Sequence, residues 1–279
     1  SGAVTIEKIK AERRAGVPIG SVLEAGSTDV RVAMGDGLLQ PMGYLPSLVD
    51  ETVWLKSPLV EQERRYVAIG LSVNTPFVNT NLVKPGEEPK FYKDMLALKW
   101  KGKISVTALS LAPAPTRQYY YLRKYAGLDD SYFLALGRQV VYYPTNRQGT
   151  AAVATGDMAI SLFQSALNMG VFALEGAPVK AIDMEEGVVA IQATGVGLLK
   201  DAPHPYAARV YINWLLSREG QTIFHKYGGT ASFRKDVPNF EPPATQVTSK
   251  KIIWATDKED LEATEMYRAG VLKKLMTEK

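Results

Sequence analysis

The 279-residue chain contains no cysteine, which excludes thiol catalysis, disulfides and thiolate metal sites. Its only histidines are His204 and His225, too few for a multi-histidine metal site. No run approaches the ~20 apolar residues of a membrane-spanning helix; the apolar stretch Val140 to Tyr143 is only strand-sized. Charge of one sign is also short, with 33 Lys and Arg against 29 Asp and Glu, a net +4. The basic residues fall in scattered pairs such as Arg13–Arg14, Arg64–Arg65, Lys101 with Lys103, and Lys250–Lys251. A nucleic-acid binder gathers them in one patch, so no nucleic-acid partner is expected. There is no phosphate loop of specific glycine spacing and no nucleophile–base pair. The opening Ser1-Gly2-Ala3-Val4 has neither the basic nor the apolar stretch of a signal peptide.

What is present reads as an α/β protein. Hydrophobic residues make up 46% and charged residues 22%, a composition with enough apolar side chains for one large domain or two medium ones. Ile6 and Ile9 share a face over Thr5 to Arg14, with Glu7, Lys8, Lys10 and Glu12 elsewhere, which predicts an amphipathic helix stopped by Gly16. Strands are expected at Ile19 to Leu23, Tyr66 to Val73, Phe77 to Val83, Lys103 to Ala108, Val140 to Tyr143, Ala159 to Phe163, Val179 to Ile182 and Val188 to Thr194. Helices are expected at Asp29 to Met34, Phe91 to Leu98, Thr116 to Tyr125, Tyr132 to Leu136, Asn146 to Thr155, Gln164 to Met169, Pro205 to Leu216 and Glu219 to Tyr227. The tail, from Asp257 to Thr277, reads as a long polar helix with Gly270 as a weak point. Strand and helix alternate through most of this order, which argues α/β.

Several segments, in order, resemble the iron, thiamine and polyamine type of bacterial periplasmic solute-binding proteins. They are Phe77-Val78-Asn79-Thr80-Asn81-Leu82-Val83, Pro89 to Leu96 followed by Lys99-Trp100-Lys101-Gly102-Lys103-Ile104, Thr155-Gly156-Asp157, Gly176-Ala177-Pro178-Val179 and Glu185-Glu186-Gly187. The most specific is Ala202-Pro203-His204-Pro205-Tyr206-Ala207-Ala208, continued by Ile212 to Ser217, Glu219-Gly220-Gln221 and Ser232 to Val237. Each has a structural reading too. Trp100 anchors a core, Gly102 permits a turn, and Pro205 suits a first helical turn. These motifs therefore identify a fold rather than a binding site.

The resemblance implies a two-lobed periplasmic-binding-protein-like fold of type 2, its lobes joined by crossing strands near Val73 to Thr80 and Val188 to Thr194. Lobe one would hold residues 1–76 and 193–279, with the C-terminal helices; lobe two would hold 77–192. It also implies a soluble periplasmic or extracellular monomer, the receptor of an ABC uptake transporter. Such a receptor captures a small ligand by hinge closure and passes it to a membrane permease, with no cofactor and no bond made or broken. Proteins of this type begin with a strand and a helix ahead of the point matching Ile6 to Gly16, so the first strand of lobe one and a ligand-contacting loop are expected to be missing here. The alternatives are a ferric-iron receptor of the same family, or an enzyme on the same fold.

In open α/β sheets ligands bind beyond the carboxyl ends of strands, at helix N-termini. Two such starts fall in the proposed second lobe. After Lys103 to Ala108 comes Ser110 to Arg117, where Thr116 would cap a helix beside Arg117. After Val140 to Tyr143 comes Pro144-Thr145-Asn146-Arg147-Gln148-Gly149, where Thr145 or Asn146 would cap and Arg147 would pair with a carboxylate or phosphate. The competing reading is an ordinary capped helix with a solvent-facing arginine. Ferric members of the family use adjacent tyrosines after the position matching Gly156-Asp157. Here that stretch reads Ala159-Ile160-Ser161-Leu162-Phe163-Gln164-Ser165. Tyr142-Tyr143 lies on a strand, where alternation separates the rings. An organic or chelated ligand with an anionic group is therefore expected, with Ser161, Phe163 and Gln164 as contacts and Glu185 facing any cationic group. No metal ligand and no catalytic residue is expected.

Overall fold

The structure, a computed structural model, describes residues 2–55, 63–109, 114–228, 230–248, 251–254 and 257–276. In chain order its elements are α1 (Gly2–Arg14), β1 (Val22–Gly26), α2 (Ser27–Gly35), β2 (Leu39–Gln40), β3 (Tyr66–Asn79), β4 (Ile104–Thr107), α3 (Ala114–Ala126), α4 (Asp130–Gly137), β5 (Val140–Tyr143) and α5 (Asn146–Thr155). There follow β6 (Ile160–Ser165), α6 (Ala166–Leu174), β7 (Val179–Ala181), β8 (Val188–Leu199), α7 (Pro205–Leu215), α8 (Arg218–Gly228), β9 (Ala231–Ser232), β10 (Ile252–Trp254), α9 (Asp257–Arg268) and α10 (Val271–Met276). The expected turn at 110–113 and the end of the tail helix at Thr277 lie outside the described residues.

Three differences from the sequence reading have local causes. The stretch read as two strands around Pro76 is the single strand β3, because the proline sits at a register shift. Thr75 faces Gln164 while Phe77 faces Ser161, so Leu162 and Phe163 together oppose the one residue that has no N–H to give. Phe163 takes φ 63° there, a left-handed conformation uncommon for a bulky residue. The expected helix at Phe91 to Leu98 is instead a pair of short 3₁₀ turns, Tyr92–Leu96 and Leu98–Trp100. Asp94 Oδ2 accepts from the amides of Lys90 and Phe91, both at 2.9 Å, which holds the chain in a tight turn. The tail helix breaks between Arg268 and Val271, where Gly270 has φ 63°.

The chain forms two compact units, Ser1–Leu71 with Gln192–Phe240, and Ser72–Ile191 with Glu241–Lys279. In the first, β8 lies between β1 and β3; Val22 to Gly26 run antiparallel to Leu198 to Thr194. One core cluster joins Ile6 and Ile9 of α1 to Val30 and Ala33 of α2 and to Tyr66. Another joins Val67 and Ile69 to Trp54, to Ile212 and Leu215 of α7, and to Phe233.

In the second unit β4 runs parallel to both β5 and β6, so all three carboxyl ends share one rim. β6 and β7 both run antiparallel to β3, and β10, not expected from sequence, pairs in parallel with Val188–Ala190 of β8. One core cluster packs Ile104, Val106, Ile160, Leu162 and Phe163 against Tyr119 of α3, Phe133 of α4, and Leu272 and Met276 of α10. A second packs Phe77 with Val153 of α5 and Met169 of α6.

The C-terminal helices thus belong with the second unit, not with the first lobe as expected. Two forces put them there. Leu272 and Met276 are fully buried in the second unit's core. Asp260 of α9 is 3.1 Å from Arg117 Nε and accepts from Tyr121 of α3 at 2.9 Å. A polar helix with few apolar residues gave no sequence sign of this partner.

Candidate functional site

The shared rim of β4, β5 and β6 is where two capped helices begin. Thr145, extended at φ −135°, accepts at Oγ1 from the Gln148 amide at 3.2 Å and so caps α5. Ser165 accepts from the Asn168 amide at 3.4 Å and caps α6. Each start leaves amide N–H groups pointing away from its helix, with the positive end of the helix dipole behind them. α5 is held tightly to the sheet: Ser105 Oγ donates to the Gly149 carbonyl at 2.8 Å. A Cβ on Gly149 would meet Cβ of Tyr143 at 3.4 Å and Ser105 Oγ at 3.8 Å, ordinary contact distances, so the helix packs closely against both strands here.

Between the two helix starts lies a file of polar side chains. Asn168 Nδ2 donates to Gln164 Oε1 at 3.2 Å, Gln164 Nε2 to Thr107 Oγ1 at 2.9 Å, and Thr107 Oγ1 to Asn146 Oδ1 at 2.6 Å. Thr107 and Gln164 are each 1% exposed, while Asn146 and Asn168 are half-buried. Arg147 and Gln148 are exposed. The Arg147 guanidinium lies 5.8 Å from the Phe172 ring centroid, and among the described residues no carboxylate pairs with it.

Of the nine residues expected at the site, the structure brings together Asn146, Arg147, Gln148 and Gln164. Thr116 does not cap: it lies inside α3, which already runs at Ala114, and it is 2% exposed. Arg117 is engaged by Asp260. Ser161 is fully buried, 3.3 Å from Ser105 Oγ, and Phe163 belongs to the core facing α3 and α4. Glu185 is an exposed turn residue whose amide donates to the Lys90 carbonyl at 2.9 Å. Thr107, Ser165 and Asn168 were missed. The signal for Ser165 and Asn168 was the serine three residues ahead of an asparagine at a helix start; beginning that helix at Gln164 hid it.

Tyr142 packs against the core on one side of β5, while Tyr143 turns to the other, over Gly149. The phenol of Tyr143 is pushed up by burial and further by the nearby Asp157 charge, the opposite of what a phenolate ligand needs. Among the described residues no group of three His, Asp or Glu is arranged to hold a metal, and no helix is long and apolar enough to cross a membrane.

This is the fold of the periplasmic binding proteins. The binding protein AfuA from Actinobacillus pleuropneumoniae, solved with exogenous fructose-6-phosphate bound, matches with a TM-score of 0.74 at 20% identity, over 97% of this chain and 87% of that one. IdiA (FutA) from Trichodesmium, solved in complex with iron and citrate, matches with a TM-score of 0.77 at 19% identity, over 100% of this chain and 89% of that one. An uncharacterized protein of Haemophilus influenzae is 25% identical over 285 residues, 96% of this chain and 78% of that one. Residues 63–229 match the family described as bacterial extracellular solute-binding protein, and the chain belongs to that family.

Proposed function

We propose that this chain is the monomeric, extracytoplasmic receptor of an ABC uptake transporter for a small organic or chelated-metal solute that carries an anionic group. The observation that carries the reading is the start of α5. An exposed, capped turn offers backbone N–H groups and the dipole, and the exposed Arg147 cation beside it has no carboxylate partner among the described residues. That combination attracts a carboxylate or phosphate. The ligands named for two proteins of this fold, fructose-6-phosphate and iron with citrate, both contain organic anions. Bare ferric capture by tyrosinates is disfavoured, because Tyr142 faces the core and burial holds the Tyr143 phenol protonated. An enzyme would need a nucleophile beside a base; the rim offers amides and hydroxyls, which bind without making or breaking bonds.

Native mass spectrometry of the chain purified without denaturation tests this. The expected result is a retained, chemically unchanged anionic solute. Titrations with fructose 6-phosphate and with citrate, each with and without ferric ion, serve as first probes. Retention of ferric ion alone, with a tyrosinate absorption band, would overturn the reading; so would turnover of the retained solute.

A further inference from the structure

Asn168, Gln164, Thr107 and Asn146 form one continuous file of hydrogen bonds, from the first turn of α6 to the first residue of α5. Its middle is dry, since Gln164 and Thr107 are 1% exposed. Its ends are half-buried, and the outer amide atoms, Nδ2 of Asn146 and Oδ1 of Asn168, have no partner among the described residues.

A hydroxyl carries one proton, and each amide has one donating and one accepting end. Thr107 accepts from Gln164, so its proton goes to Asn146. Turning over all three amides runs the file the other way: Asn146 donates to Thr107, Thr107 to Gln164, and Gln164 to Asn168. Any other arrangement sets two donors or two acceptors face to face, or has both amides donate to Thr107 and leaves its buried proton with no acceptor in the file, and either fault costs a buried hydrogen bond. The file therefore has two self-consistent directions, and its two ends cannot choose independently.

We propose that this file is a polarity relay that sets ligand specificity by coupling what is read at the start of α5 to what is read at the start of α6. In one direction Asn146 turns its Nδ2 donors outward beside Arg147, and Asn168 turns its Oδ1 acceptor outward. In the other, both are reversed. Resting on the anion reading above, an anion at α5 selects the first direction and leaves an acceptor at α6. The ligand class that satisfies both ends is an anion that also bears a hydroxyl or amino group, such as a phosphorylated polyol or a hydroxy acid. A simple anion leaves the acceptor at Asn168 unmet.

Side-chain amide signals of the ¹⁵N-labelled protein test the relay in two arms. The first needs no ligand. Asn168→Asp can only accept, so it forces the file into the reverse direction, and the Asn146 Nδ2 signals should move. Adding Thr107→Val, which removes the hydroxyl but keeps the shape, should cancel that movement; Thr107→Ser should preserve it. Asn146 signals that ignore Asn168→Asp, or that move equally with valine at 107, overturn the relay. In the second arm, inorganic phosphate should shift Asn146 and Asn168 with one midpoint in the wild type, and Asn146 alone in Thr107→Val. Glycerol 3-phosphate should bind at least about tenfold more tightly than inorganic phosphate, a difference of ~1.4 kcal/mol, and Thr107→Val should erase most of that preference. If the first arm succeeds while Asn146 ignores inorganic phosphate, glycerol 3-phosphate and citrate, the anion reading and the ligand class fall and the relay stands. If Asn146 responds to phosphate but Asn168 does not follow, the relay falls and the anion reading stands.

Discussion

His225 Nε2 stands 2.9 Å from the carbonyl oxygen of Ile69, so the ring joins α8 to β3 in the interior of the first unit. The neighbours set its tautomer. Nε2 faces two acceptors, that carbonyl and Gln221 Oε1 at 3.2 Å, whereas Nδ1 faces the Thr230 hydroxyl at 2.7 Å. The ring is neutral, with Nε2 protonated and Thr230 donating. Burial holds its pKa down at about 4, with the Ile69 bond opposing that shift.

A lowered folded-state pKa means that the unfolded chain binds the proton more readily. The histidine therefore contributes stability above its unfolded pKa of 6.5 and loses it as pH falls towards about 4. At about 1.4 kcal/mol per pKa unit, the loss is on the order of 3 kcal/mol. Melting curves between pH 7 and 4.5 should show the wild type losing stability faster than His225→Gln. Parallel curves for the two proteins would contradict this account of the site.

Arg147→Ala should weaken binding of an anionic ligand by about tenfold to a hundredfold, the worth of one charge-assisted bond shielded from water. The melting temperature without ligand should stay nearly unchanged, because the guanidinium is exposed. Trp100, 6% exposed and packed in the second unit's core, should behave in the opposite way. Trp100→Ala should cost about 3–5 kcal/mol of stability. Calorimetric titration and denaturation of both variants separate the two roles.

Asp260→Ala should be strongly destabilising. Asp260 is 2% exposed and Arg117 only 11% by side chain, and removing one partner of a buried pair leaves the other charged in a poor solvent, at about 3–5 kcal/mol. The double change Arg117→Met with Asp260→Leu should recover most of the loss, as uncharged groups of similar volume often do. Urea unfolding of the wild type and the two variants checks the order of stabilities.

Much of the architecture was readable because it depends on local chemistry. The start of α5 followed from the Thr145-Asn146 pair, its stop from Gly156, which takes a left-handed φ of 91°, and the weak point of the tail from Gly270. What escaped depends on partners far apart in sequence. Arg117 looked like a ligand contact because its ion partner lies on α9, a helix whose apolar residues are too few to announce a docking face. The break assigned at Pro76 was an overreading of proline, since the missing N–H is absorbed by the extra residue in β6. The polar file could not be read either, because Thr107, Asn146 and Gln164 sit on three elements that only the parallel order of β4, β5 and β6 brings side by side.

Gly137 offers a test of the C-terminal packing. A Cβ there would lie 2.6 Å from the Met276 carbonyl oxygen, closer than atoms tolerate, so Gly137→Ala should lift α10 from α4. Hydrogen exchange in α10 should rise well above wild type, while exchange in α7 and α8 stays the same. Equal protection of α10 in both proteins would mean that the helix is held by other contacts.

The two units are interleaved along the chain, and this governs the order in which they can be finished during synthesis. β3 is made early, but its neighbour β8 arrives only after the whole of 72–191 has followed, and the second unit waits for Glu241–Lys279. Such long loops make folding slow and leave strand edges open in the meantime. The first unit can close only once Phe240 has emerged and the second only with the final segment, so most of the chain is made before either fold is complete.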